Sequence, residues 1–234
     1  EIRPRDWSSD VCSSDLKNAN ELKESDDLGL KYADSLKALL DLETKYTTSK
    51  DDLSKLNAVD YSTEIGGGLA IERVAVVQQG NWIGPELKGI DETVANKMGM
   101  LPLPIKGAKE DCIPVGISIK WCINSQSKDK VKEASKEFLS WLFQSDEGKK
   151  IVVDDFGFVP AFDNYDGVEI SDPLSKEVKR YIDEGKTTPW VMDGFPSGYE
   201  AKSAADFQGY FSGEYTFDPA HGSMSLPHRN LFRN

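Results

Sequence analysis

An indole and a carboxamide stand side by side in residues 74–85, Val-Ala-Val-Val-Gln-Gln-Gly-Asn-Trp-Ile-Gly-Pro. An indole face packs against apolar C–H surfaces, and a carboxamide both donates and accepts hydrogen bonds. Asn81 and Trp82 together therefore suit a polyhydroxy ligand such as a sugar ring. In the other interpretation Trp82 is a core residue or a hydrophobic lid, and the residues alone do not decide between the two.

A short apolar run precedes these two side chains. Residues 74–77 are apolar and rich in valine, as expected of a strand buried on both faces, and the glycines and proline of residues 80–85 then interrupt the chain. In open α/β sheets, ligands bind in the crevice outside the strand ends. The sequence therefore predicts a binding loop at the end of a buried strand.

Strand and helix patterns alternate after this loop. Residues 116–123 alternate in polarity, which predicts a strand with Trp121 facing the core. Ser127 is then expected to cap a helix with one apolar face. That face comprises Val131, Ala134, Phe138, Leu139, Trp141 and Leu142. The alternation predicts an α/β architecture.

The next helices have clear boundary signals. Ser145 begins a short helix, Asp172-Pro173 supplies a cap followed by proline at the first helical position, and Gly185 ends that helix. A loop follows that contains a second indole, Trp190, and Tyr199 lies close behind it.

Motifs for catalysis, cofactors or metals do not stand out. Aspartate and glutamate total 40, so carboxylate pairs arise by chance, and neither Asp154-Asp155 nor residues 163–166 have the spacing of a calcium loop. The glycines of residues 66–68 lack the Gly-Lys-Ser/Thr of a phosphate-binding loop. We therefore expect a binding protein without cofactor, metal or turnover; the alternatives are a glycoside-active enzyme domain and a surface interaction protein.

Charge and cysteine usage narrow the class further. A net charge of −12 and a pI near 4.7 disfavour nucleic acid and anionic membranes as partners, because their phosphates would be repelled. No apolar run is long enough to span a bilayer, and the N-terminus has no signal-peptide pattern. Cys112 and Cys122 could pair across a hairpin in an exported protein or remain reduced thiols.

The two ends differ from the rest of the chain. Residues 5–16 correspond to one reading frame of a common short-read sequencing adapter, so residues 1–16 are expected to be an assembly artefact. Residues 219–234 contain both histidines and no helical period, which indicates either a frameshift or a genuine disordered tail.

From Glu64 onward the chain resembles the extracellular solute-binding proteins of carbohydrate ABC importers, the group that includes the maltodextrin-binding protein. The resemblance rests on the order and spacing of several short sequence segments, none of which is decisive by itself. The matching segments are residues 76–82 (Val-Val-Gln-Gln-Gly-Asn-Trp), 99–104 (Gly-Met-Leu-Pro-Leu-Pro), 122–125, 132–139, 145–148 and 157–161.

The resemblance implies a type II periplasmic-binding-protein-like fold with two α/β lobes, of which the first half is missing here. Residues 17–105 would then belong to the second lobe, residues 106–168 would return into the first, and residues 169–218 would supply closing helices of the second. Without the first lobe's central strands, the apolar helix face within residues 131–143 would be uncovered, and the fragment would be unstable or aggregate.

The resemblance also implies a role. The ligand would be a sugar or oligosaccharide held between the lobes, with Trp82 stacking on it and Asn81, Trp190 and Tyr199 as further contacts. The partners would be the permease subunits of the importer. The full-length parent would be extracellular or periplasmic, held to the membrane only through a lipid anchor that this chain lacks.

Overall fold

The computed structural model describes residues 33–105, 109, 111–117, 120–190, 198–218 and 223–224. The protein is mixed α/β, and helices dominate. The chain divides into two compact units. Unit 1 comprises the described residues within Glu1–Asp60, Leu103–Glu110 and Val191–Asn234, and unit 2 comprises those within Tyr61–Pro102 and Asp111–Trp190. The predicted adapter and tail, residues 1–16 and 219–234, lie outside the described residues except for 223–224.

The α-helices in chain order are α1 Ala33–Tyr46, α2 Tyr61–Glu64, α3 Ile83–Ile90, α4 Glu92–Ala95, α5 Asp129–Gln144, α6 Asp146–Lys150, α7 Pro173–Asp183 and α8 Tyr199–Phe211. Two π-helical turns continue α2 and α6, at Ile65–Leu69 and Ile151–Asp155, and two 3₁₀ turns lie at Leu53–Ala58 and Asp163–Tyr165. In the part of the chain that the structure describes, no helix has the length and apolar character needed to cross a bilayer.

Four short strands form two separate pairs. In unit 2, β1 (Ile113–Val115) runs parallel to β2 (Thr187–Pro189), with Ile113 opposite Thr187. In unit 1, β3 (Phe217–Asp218) and β4 (Ser223–Met224) are antiparallel. The α/β class is thereby confirmed in its coarse form, while the two-lobe arrangement and its lobe boundaries stay predictions.

Unit 1 packs around two buried side chains. Leu40 on α1 meets Phe211 on α8, and partly buried apolar residues of both helices and of the Leu53–Ala58 turn surround them. The side chain of Gln208 also donates to the carbonyl of Ser54 at 2.8 Å, which ties α8 to that turn.

Unit 2 has three apolar clusters. The first joins the Ile65–Leu69 turn to α3 and α7 through Ile65, Leu87 and Leu174. The second packs Leu142 of α5 against the Ile151–Asp155 turn and Tyr165. In the third cluster β1 packs against α7, where Ile113 contacts Val178 and Tyr181. Helix α7 therefore contributes to the first and third clusters.

The predicted boundaries of α6 and α7 are confirmed, but the predicted Ser127 cap is wrong: α5 begins at Asp129, and its N-cap residue, Lys128, makes no side-chain capping hydrogen bond. Asp172 caps α7 by accepting a hydrogen bond from the backbone N–H of Ser175 at 2.7 Å, and Pro173 is its first residue. Gly185 follows α7 with φ +66°, which glycine adopts without steric cost. Ser145 caps α6 through the N–H of Gly148.

The predicted buried strand at residues 74–77 is wrong. No strand forms there, and Val76 is 82 % exposed. A strand buried on both faces needs a pairing partner on each edge and helices on each face. The sheet in the described part of unit 2 contains only two three-residue strands, so an apolar run at this position has no ladder to join.

The predicted strand at residues 116–123 is also wrong. β1 ends at Val115, and the described residues 116–117 and 120–123 form no strand. Ile117 is 60 % exposed and Trp121 is 44 % exposed, so Trp121 is not the core residue that its alternating pattern predicted. Alternation buries one face of a strand only when a second layer covers that face.

Candidate ligand-binding site

Trp82 lies immediately before helix α3, and its indole is held in a defined orientation. The side chain is 47 % exposed. Its Nε1–H donates to Oε1 of Gln79 at 3.1 Å, and Nε2 of Gln79 donates to Oε2 of Glu64 at 3.0 Å. The six-membered ring lies against Gly80, where any Cβ would overlap it. Trp82 therefore presents a large, oriented aromatic surface to solvent and is not a buried core residue.

Trp190 reaches the same place from the other end of unit 2. It follows β2, and its backbone N–H donates to the carbonyl of Val115 at 3.1 Å, which extends the β1–β2 pairing by one bond. Its Cβ lies against Gly116, where an added Cβ would come within 2.5 Å. Both tryptophan side chains thus lie against glycines, Trp82 through its ring and Trp190 through its Cβ.

The two indoles contact each other. The ring centroids of Trp82 and Trp190 are 6.1 Å apart and their planes are inclined at 84°, an edge-to-face pair. Such pairs contribute about 0.5–1.5 kcal/mol beyond the area they bury. The structure therefore brings together two of the four side chains that the sequence singled out.

Asn81 is engaged inside the protein. Its Nδ2 donates to the hydroxyl of Ser175 at 3.1 Å and to the carbonyl of Gly157 at 3.4 Å. The Ser175 hydroxyl in turn donates to the same carbonyl at 2.7 Å, and Ser175 is fully buried. Sequence reasoning missed Ser175; its one signal is its place in the first turn of α7, three residues after the cap.

Tyr199 is the first residue of α8 in unit 1, and its side chain lies outside the described part of the structure. Its role as a ligand contact stays a prediction.

Acidic groups lie near Trp82. Glu64 bonds the glutamine that holds the indole, and Glu86 lies on α3. Burial, together with a hydrogen bond to Glu86, raises the pKa of Tyr61 to about 12. Tyr61 is therefore a neutral donor at physiological pH, and the carboxylates beside it disfavour an anionic ligand.

The described residues hold neither a candidate metal cluster nor a disulfide. These residues contain no group of three or more histidine, cysteine, aspartate or glutamate side chains that could hold a metal ion. Cys112 and Cys122 are both free thiols in the structure. The two histidines lie outside the described residues.

A second aromatic surface follows helix α5. An open groove of about 660 Å³ separates α5 from the segment that begins at Trp121. Of the predicted apolar helix face, only Leu142 is buried, while Val131 and Phe138 are each 52 % exposed and Trp141 is 40 % exposed. Most of this face is therefore exposed, while the missing first lobe that the resemblance implies stays a prediction.

Comparisons of the chain with protein-family models, with curated proteins and with solved structures found no match. The resemblance to the solute-binding proteins of ABC importers therefore stays a prediction.

Proposed function

We propose that the chain belongs to the substrate-binding component of a carbohydrate ABC importer and binds a neutral sugar or oligosaccharide against Trp82. The observation that carries this proposal is the half-exposed, oriented indole of Trp82 in edge-to-face contact with Trp190. The ordered sequence segments between residues 76 and 161, which resemble those of solute-binding proteins, support the same assignment.

The physical basis of the proposal is that a sugar ring stacks on the indole of Trp82, whose orientation is already fixed. A sugar ring offers an apolar C–H face to an indole and hydroxyls to the groups around it. Because Gln79 and Trp190 hold Trp82 before any ligand arrives, little side-chain entropy is lost on binding. The carboxylates of Glu64 and Glu86 favour a neutral ligand over a phosphorylated one.

Binding without turnover follows from the same chemistry. A glycoside hydrolase needs two carboxyl groups on either side of the scissile bond, one of them with a raised pKa. The proposal gives Glu64 and Glu86 no catalytic part, and we expect the ligand to be released unchanged.

The wider setting belongs to the proposal as well. In it the chain is part of a two-lobe, periplasmic-binding-protein-like fold that works outside the cytoplasmic membrane and delivers its sugar to permease subunits. A lipid anchor in the parent protein would hold it at the membrane. Hinge closure of two lobes around a ligand is the motion that such folds use.

Isothermal titration calorimetry of the full 234-residue chain with a panel of neutral mono-, di- and trisaccharides tests the proposal. We expect at least one saccharide to bind, and Trp82→Ala to lower its affinity at least about tenfold, equivalent to roughly 1.4 kcal/mol. Trp121→Ala is the matched control, because Trp121 is equally exposed but belongs to the other aromatic surface.

Two results would reject the proposal. The first is heat from no saccharide in the panel. The second is equal binding by the chain and by Trp82→Ala. Chromatography of the same mixtures after incubation checks the absence of turnover, since cleavage products would favour the glycoside-active alternative.

A further inference from the structure

One helix connects the two indoles. The first turn of α7 contacts the loop that carries Trp82, because the buried hydroxyl of Ser175 accepts a hydrogen bond from Asn81. At its other end, α7 leads through Gly185 into β2, and Trp190 follows β2 directly. A helix of α7's length is about 16 Å long and rigid, so it fixes the distance between these two attachments.

The contact between the Trp82 loop and α7 extends over several residues. Gly84 lies against the carboxylate of Asp172, where an added Cβ would overlap it. Pro85 packs on Gly157, whose φ of +64° belongs to the left-handed region. The residues on both sides of Trp82 are thus seated on the start of α7 and on the turn at Gly157.

Asn81, Ser175 and the carbonyl of Gly157 form a closed set of hydrogen bonds, here named the Asn81 clamp. Nδ2 of Asn81 donates to the Ser175 hydroxyl at 3.1 Å and, over the longer distance of 3.4 Å, to the Gly157 carbonyl. The Ser175 hydroxyl gives its own proton to that carbonyl and so is free to accept from Asn81. The clamp works only if residue 81 is a donor.

We propose that Asn81 and Ser175 are positioning residues that act through the clamp to hold Trp82 against Trp190. Asn81 then serves the proposed site by fixing its neighbour in sequence, and its amide nitrogen donates within the protein. Because the clamp is internal, its test needs no ligand, and failure of the clamp is distinguishable from failure of the proposed sugar site.

Asn81→Asp is the sharpest variant. Aspartate has the shape of asparagine but supplies no donor at neutral pH, and its carboxylate would face the Gly157 carbonyl and the Ser175 oxygen. Ser175→Ala is the second variant, since it removes the hydroxyl at the centre of the clamp. Asn124→Ala is the matched control: Asn124 also makes a side-chain hydrogen bond in a loop of unit 2, to the N–H of Gln126.

The measurement is fluorine NMR of the full chain labelled with fluorotryptophan, with each signal assigned by a Trp→Phe substitution. We expect Asn81→Asp and Ser175→Ala to shift the Trp82 and Trp190 signals by more than their linewidths, because each ring shields the other in the edge-to-face pair. The Trp121 and Trp141 signals should stay in place, and Asn124→Ala should leave the Trp82 and Trp190 signals unchanged.

Two outcomes would overturn the positioning role. In the first, either variant folds and leaves the Trp82 and Trp190 signals where they were. In the second, both variants move all the tryptophan signals together, which would mean that the clamp stabilises unit 2 as a whole and has no particular effect on the ring pair.

Discussion

Unit 2 exposes two aromatic surfaces that differ in how their rings are held. At the Trp82–Trp190 pair, the ring of Trp82 and the Cβ of Trp190 each lie against a glycine, and hydrogen bonds fix the Trp82 ring and the Trp190 backbone. Along α5, Phe138 and Trp141 project from one helix face, with a ring distance of 6.0 Å between them, beside an open groove. Exposure is similar on both surfaces, so exposure alone does not mark a binding site.

The difference is that contacts with other parts of the fold fix the orientation of the Trp82 and Trp190 side chains, whereas the α5 rings project from one exposed helix face. A side chain fixed in this way keeps its geometry without a ligand, because other parts of the fold determine it. The rings on the α5 face project from a single helix beside an open groove. Substitutions that remove support should therefore have large effects under the Trp pair and small ones on the α5 face.

The largest effect is expected for Leu87→Ala. Leu87 is a fully buried residue of α3, so its truncation leaves a cavity and should lower the free energy of unfolding of unit 2 by about 2–5 kcal/mol. Urea unfolding followed by circular dichroism measures the loss. Leu101→Ala is the control, because Leu101 is 85 % exposed and its truncation should cost almost nothing. Equal losses in the two variants would contradict the core assignment.

Gly116→Ala comes next. The new methyl group would meet Cβ of Trp190, which is fixed by the backbone and cannot swing aside. Overpacking of this kind costs about 1–3 kcal/mol, and it should separate β1 from β2. Gly99→Ala provides the comparison, since nothing lies within 4 Å of a Cβ added there. Urea melts in which both variants retain full stability would show that Trp190 is not seated on Gly116.

Gly80→Ala should have a smaller effect on stability and a marked effect on the site. Its methyl group would displace the ring of Trp82, breaking the bond to Gln79 and the contact with Trp190 at a cost of about 1 kcal/mol. Gly89→Ala, within α3 and with open space around it, should instead stabilise the helix by about 0.5–1 kcal/mol. Thermal melts of the pair decide; a gain in stability for Gly80→Ala would refute the seating of Trp82.

The local signals in the sequence predicted helix boundaries well but strands poorly. Asp172, Gly185 and Ser145 act on backbone groups within four residues of themselves, so their effect can be read without the rest of the fold. Residues 74–77 and Trp121 depended instead on partners distant in sequence. Periodicity supplied an apolar face for each but could not show whether a strand or layer exists to cover it.

The site was predictable only in part for the same reason. The residue types of Trp82 and Trp190 suggested stacking, but no local rule brings them into contact. That contact depends on α7, on β2 and on Ser175, which no motif distinguishes. The ligand contact predicted for Asn81 stays a prediction, and its hydrogen bonds to Ser175 and Gly157 could be recognised only in three dimensions.

The raised pKa of Tyr61, which lies near the carboxylates beside Trp82, can be tested by the pH dependence of stability. Its folded pKa of about 12 exceeds the ordinary value near 10, so the folded state keeps a proton that the unfolded state loses. Its contribution to stability is complete below pH of about 10 and disappears as the pH rises towards about 12. Urea midpoints across this range should fall more steeply for the chain than for Tyr61→Phe, and parallel curves would contradict the shift.

The smallest effect is expected on the α5 face. Phe138→Gln replaces a half-exposed ring with a good helix former, so the free energy of unfolding should change by less than about 0.5 kcal/mol while solubility rises. Leu142→Ala on the same helix is the contrast, because Leu142 is buried and should cost several times more. A large loss for Phe138→Gln would mean that this face is packed.

The most direct test of the account is a nitrogen–proton NMR titration of the labelled chain with the saccharide that calorimetry selects. Each indole N–H gives its own signal, assigned by single Trp→Phe substitutions. If the saccharide binds against Trp82, we expect the chemical shifts of the Trp82 and Trp190 signals to change as it is added and those of Trp121 and Trp141 to stay constant. Movement of the Trp121 and Trp141 signals alone, or of none, would contradict the account.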